Sequence, residues 1–169
     1  MNMKPLNFLI VLILGFGAAH VYAKDDESSP PLGCRDVGYK FEMRILNLLP
    51  SAAGTRNSLY FVYNMLDKPV NLYHMRKNDG TGSYYLNHTI KGGQWAALST
   101  CEKELRYVCT VNDGKSSYGK IVDCADSVKI CEYANVAFGL NNRGNHWLVD
   151  SNSKSGAVRQ VVYYGIIPR

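Results

Sequence analysis

The stretch Ser99–Cys131, STCEKELRYVCTVNDGKSSYGKIVDCADSVKIC, decides the fold. Between Leu105 and Val111 apolar and polar side chains alternate, which puts Leu105, Tyr107, Cys109 and Val111 on one face. A period of two marks a half-buried strand. Asn112-Asp113-Gly114 opens a polar turn that ends near Gly119, and Lys120–Cys124 runs back. In a simple hairpin centred on that turn, Cys109 and Cys124 fall roughly opposite each other, to bridge across neighbouring strands or to reach a facing sheet. A local helical turn over Ala125–Val128 would then lead into a strand at Val128–Tyr133.

The same pattern extends outward. Tyr39–Ile45 alternates, with Tyr39, Phe41, Met43 and Ile45 on one side, and predicts a strand ending near Leu46. A helix through Phe41, Ile45, Leu48 and Leu49 is the second reading. Ser58–Leu66 is rich in aromatics and suits a central strand. Asp67-Lys68-Pro69 breaks it before Val70–Arg76, and Asn78–Gly82 is a turn. Tyr84–Ile90, Trp95–Leu98, Asn135–Leu140, His146–Val149 and Ala157–Ile167 supply further strands. About nine short strands spaced by Gly, Asn and Asp turns predict an all-β fold, an antiparallel β-sandwich. No βαβ alternation occurs, which excludes a dinucleotide-binding or P-loop architecture.

Residues 1–23 carry Lys4, then an apolar run from Leu6 to Ala19, then Val21-Tyr22-Ala23. Charge, apolar run and small-residue site, in that order, predict a secretory signal. The run is short for a membrane span, with an uncleaved N-terminal anchor as the second reading, and no other long apolar run follows. The rest of the 169-residue chain is one domain's worth. We expect a flexible, acidic then Ser/Pro-rich arm at 24–38 and a single domain at 39–169. Beyond the signal, 18 basic side chains face 14 acidic ones, a net charge of +4 with the charges scattered. Nucleic-acid binding calls for a denser basic stripe.

All five cysteines follow the signal, and an exported chain meets an oxidising compartment, so disulfides are expected. The spacing contains no C-x2-C pair, which argues against zinc. Cys101, Cys109, Cys124 and Cys131 are the main candidates. Five choices of spare thiol and three pairings of the rest stay open. Leu32-Gly33-Cys34 is not a lipid-attachment site, because KDDESSPP separates it from the apolar core.

Catalytic patterns are diffuse. His74, His88 and His146 are spread along the chain with no metal-ligand spacing, and no metal or cofactor is expected. A Cys–His hydrolase would need a free, low-pKa thiol at Cys34 or Cys101. Glu102, Glu104, Asp123, Asp126 and Glu132 could furnish two carboxylates for glycoside cleavage only if a cleft gathers them. The tyrosines serve strands as readily as contact surfaces.

Several motifs together carry a resemblance. They are Asn57–Phe61, Ile90–Trp95, Tyr107–Cys109 and the block from Cys124 through Cys131, Tyr133 and Phe138 to Asn142-Arg143-Gly144-Asn145-His146-Trp147. Over roughly 39–165 the chain resembles the EnhB-type enhanced-entry proteins of Legionella. The resemblance implies a bacterial protein exported past the inner membrane and involved in the invasion of host cells. It implies structural roles for Cys109, Cys124 and Cys131 and brings no catalytic residues. The expectation is therefore a non-catalytic protein that binds a protein or glycan partner in the envelope or on the host cell. Trp147 with His146 and Arg143, or Tyr84 with Tyr85, would form its binding surface, since Trp and Tyr are favoured at contact hot spots. Burial of Trp147 in the core is the rival expectation. An envelope hydrolase and a membrane-active sandwich are the alternative functions.

Overall fold

The computed structural model describes residues 27–51, 58–75, 84–133, 145–151, 153, 154 and 156. The signal at 1–23, the turns at 78–82 and 141–144, and the strands expected at Asn135–Leu140 and Ala157–Ile167 lie outside those residues. The fold is an antiparallel β-sandwich. Ten strands are described, β1 (Tyr39–Glu42), β2 (Ile45–Leu48), β3 (Ser58–Asn64), β4 (Val70–Met75), β5 (Tyr84–Ile90), β6 (Trp95–Thr100), β7 (Leu105–Val111), β8 (Lys120–Val122), β9 (Val128–Tyr133) and β10 (Asn145–Ser151), with one helical turn, α1 (Cys124–Ser127). The larger sheet runs β1-β2-β7-β4-β5, with β8 beside β7 on the same edge as β2. The smaller runs β10-β6-β3-β9.

Between the sheets lies the main core. Leu105, Tyr107, Cys109 and Val111 of β7 all enter it, as their alternation predicts. They meet Tyr60 and Val62 of β3, Ala96 and Leu98 of β6, and Ile130 of β9. The continuous apolar run of β3 has a further cause. Its other side chains, Leu59 and Phe61, join Trp95, Ala97 and Cys131 in a second cluster on the outer face of the smaller sheet. A strand buried on both faces has no reason to alternate.

The strand expected at Tyr39–Ile45 is instead a hairpin. Met43 and Arg44 both take positive φ, 48° and 68°, and Glu42 pairs with Ile45 across them. A two-residue turn with both φ positive fits the right-handed twist of the flanking strands. Met43, expected inside, is 93% exposed at the turn. The turn carries no Asn or Gly, so the alternation simply ran through it.

Two disulfides staple the domain. Cys109 bonds Cys124, with Cα atoms 5.3 Å apart. The opposite partner of Cys109 in the β7–β8 ladder is Val122, so the bridge reaches past β8 to the start of α1. The second pair is Cys34–Cys131. Cys101, expected among the staple cysteines, carries the free thiol. The cause is geometric: Cys101 follows the end of β6, while Cys131 faces the outer surface, where the N-terminal segment crosses.

That segment is not a loose arm. Cys34 anchors it, Arg35 exchanges both backbone hydrogen bonds with Glu132 of β9, and Pro31 is buried. The Trp95 indole donates to the Glu27 carbonyl, and the Lys129 ammonium donates to Ser28 Oγ. Residues 27–35 thus form a third layer over the smaller sheet. The pair of disulfides fits an oxidising, exported environment. No helix among the described residues is long and apolar enough to cross a membrane.

Candidate functional site

The outer face of the larger sheet has no such cover among the described residues. Three strands and one turn build a hollow on it. Val108 and Thr110 of β7 and Tyr73 of β4 form the floor, and Tyr118 and Ile121 stand at the rim, around about 260 Å³. Tyr73 and Val108 are directly paired across the two strands. Tyr118 is 60% and Ile121 57% exposed, so two large apolar side chains sit in solvent beside a nearly closed apolar floor.

The turn that presents Tyr118 is fixed by short-range chemistry. The Asn112 side-chain oxygen accepts from Gly114 N, and an Asp113 carboxylate oxygen accepts from Lys115 N and Ser116 N. These bonds favour the ionised form of Asp113 and lower its pKa. Gly119 has φ +78°, and a Cβ there would lie 2.4 Å from the Val111 carbonyl oxygen. Only glycine meets both conditions. Thr110 Oγ1 then donates to the Tyr118 carbonyl at 2.7 Å, and the Tyr118 ring meets Tyr73 edge-on at 5.7 Å. An exposed tyrosine is thereby held in one place.

On the other side of Ile121 lies an open groove of about 480 Å³. Arg44 from the β1–β2 turn, Lys68 from the β3–β4 turn and Lys120 of β8 line it, with Asp123 and Asp126 of the α1 turn and an apolar floor of Leu66 and Val122. Its walls converge for identifiable reasons. Cys124 N donates to the Arg44 carbonyl, and Met65 N donates to the Ser127 carbonyl. Buried Asn64 donates to the carbonyls of Lys68 and Ile90, and its own oxygen accepts from Leu66 N. The Cys109–Cys124 bridge fastens α1, and with it one groove wall, to β7.

The expected binding residues are dispersed. Trp147 is half-buried against the main core and stacks on His88, with centroids 4.3 Å apart and planes 6° from parallel. Its Nε1 and the Tyr107 hydroxyl both donate to Asn87 Oδ1. The tryptophan therefore closes one end of the core while keeping part of its surface open. Tyr84, Tyr85 and His146 lie on β5 and β10, and the side chains of these three are outside the described residues, as is all of Arg143.

The candidate catalytic groups do not form one cluster. Glu132 is fully buried and accepts from Ser51 N and Ser51 Oγ, clamping the loop after β2. Asp123 caps α1 by accepting from Ala125 N. Cys34 is bridged, which removes it as a nucleophile. Among the described residues no group of three His, Cys, Asp or Glu is placed to hold a metal ion.

Tyr118 and Ile121 did not stand out in sequence. The signal was present as Tyr118-Gly119 closing the turn before β8, but alternation cannot say which sheet face is covered. No family model, curated protein or solved structure matches the chain.

Proposed function

We propose that the protein is an exported, non-catalytic binding protein that recognises a partner in the bacterial envelope or on the host cell, and that it does so with the outer face of the larger sheet. The observation that carries this reading is the fixed, exposed pair Tyr118 and Ile121 beside the Tyr73–Val108 floor. Exposed apolar side chains that border an apolar hollow are a common form of contact site on soluble domains. Tyrosine suits the role because it offers contact area for little lost side-chain freedom. The resemblance to enhanced-entry proteins supports an exported location and a part in host-cell invasion.

Binding of the purified, disulfide-intact protein to host cells and to isolated envelope fragments tests the reading. The double variant Tyr118→Ala, Ile121→Ser is expected to bind at least tenfold more weakly with an unchanged circular dichroism spectrum. Full binding by that variant, together with loss in Trp147→Ala, would move the recognition surface to the β5–β10 end.

A further inference from the structure

The hollow and the charged groove meet at Ile121, which lines both. An aromatic rim therefore continues directly into a polar groove. We propose that this joint surface binds a glycan bearing uronate groups at low charge density, one carboxylate every second sugar. The proposal rests on the functional reading above and names the ligand class.

The chemistry divides between the two halves. The apolar face of a pyranose ring packs on an aromatic ring that is fixed and exposed, as Tyr118 is. In the groove, Arg44, Lys68 and Lys120 come from three separate elements, and all three are exposed. Among the described residues none of them lies within ion-pair distance of a carboxylate; the pair at that distance is Lys40 with Glu42, elsewhere. Arg44 offers a planar fork that matches a carboxylate. Asp126, exposed on the same wall, accepts hydrogen bonds from sugar hydroxyls.

The mixture sets the charge density of the ligand. Three cations and two carboxylates leave the groove only slightly positive. A densely charged polyanion, nucleic acid or a highly sulfated chain, would meet Asp123 and Asp126 as repulsion. A neutral glycan would leave the cations unused. Widely spaced carboxylates on a chain of hydroxyl-rich rings satisfy both signs.

Calorimetric titration of the full disulfide-bonded protein tests this, with three probes. They are an oligosaccharide of alternating glucuronate and N-acetylglucosamine, a heparin oligosaccharide of equal length, and a neutral chitin oligosaccharide. The uronate probe is expected to bind best. Tyr118→Ala should weaken that binding about tenfold. Lys68→Gln and Arg44→Gln should each weaken it about two- to fivefold and reduce its dependence on salt. Equal or tighter binding of heparin that ignores Tyr118→Ala would overturn the proposal in favour of unspecific attraction to polyanions. Equal binding of the neutral probe would overturn it too, because the cations would then have no part. If none of the three binds while cell binding still depends on Tyr118, the ligand is a protein: the glycan inference fails and the recognition face stands.

Discussion

The two outer faces of this sandwich are treated in opposite ways. On the smaller sheet, Leu59, Phe61, Trp95 and Ala97 would be an apolar patch in water, but a segment pinned by Cys34–Cys131 covers them. On the larger sheet, Tyr118 and Ile121 stand exposed beside Tyr73 and Val108. The same chain covers one apolar face with a disulfide-pinned segment, while on the other Tyr73 and Val108 are closed over and Tyr118 and Ile121 stand exposed beside a turn that only Gly119 permits. The first face is therefore part of the fold, and the second is the one we propose for recognition. Substitutions should separate the two, with stability falling under the N-terminal segment and binding at the exposed pair.

The largest loss is expected for Trp95→Ala. Its side chain is fully buried between β6 and the N-terminal segment and hydrogen-bonded to Glu27. Removing a buried tryptophan costs about 3–5 kcal/mol, read by urea unfolding. Next comes Cys34→Ala. The bridge closes a separation of 97 residues, and loss of a native disulfide costs about 2–5 kcal/mol in small exported domains. In both variants the residual folded protein should bind normally.

Gly119→Ala lies between the extremes. It forces a side chain into positive φ and against the Val111 carbonyl, at about 1–3 kcal/mol. Because the strain displaces Tyr118, binding should fall as well, measured on the same sample. This variant breaks the comparison if binding survives intact.

Tyr60→Phe sharpens the covered side through pH. Burial, with the nearby Glu132 carboxylate second, raises the Tyr60 pKa above its ordinary 10.0. The unfolded chain then ionises first, so the contribution is fully present below pH 10 and is lost as the pH rises above it. The variant loses the bond to the Gly38 carbonyl, about 0.5–1.5 kcal/mol at neutral pH. Its unfolding curve should also fall less steeply with pH above 10. The smallest stability change belongs to Tyr118→Ala, within about 0.5 kcal/mol, although its effect on binding is the greatest of the five.

Much of the fold was legible because its signals are local. The alternation of β7, the Asn112–Gly119 turn and the helical turn before β9 were all readable as written. The long apolar run of β3 already indicated a central strand. The Met43-Arg44 turn was not legible, since neither residue is a usual one for positive φ and the apolar alternation runs on through Met43 to Ile45, although the inward face passes from Tyr39 and Phe41 to Leu46 and Leu48. The Cys109–Cys124 bridge was among the readings of the hairpin, but the Cys34–Cys131 pair was not legible, because it depends on where the N-terminal segment crosses the sandwich. The candidate site was hidden for the same reason. Tyr118 and Ile121 look like ordinary strand-end residues until one knows which face the chain covers.

The most direct test is a hydrogen-exchange or NMR shift map of the disulfide-bonded protein with the uronate oligosaccharide, or with a captured protein partner if the glycan fails. The account predicts that changes gather at residues 118–122 and at Tyr73, Arg44 and Lys68, with the covered face around Phe61 and Trp95 silent. Changes confined to Trp147 and the β5–β10 end, or centred on the covered face, would contradict it.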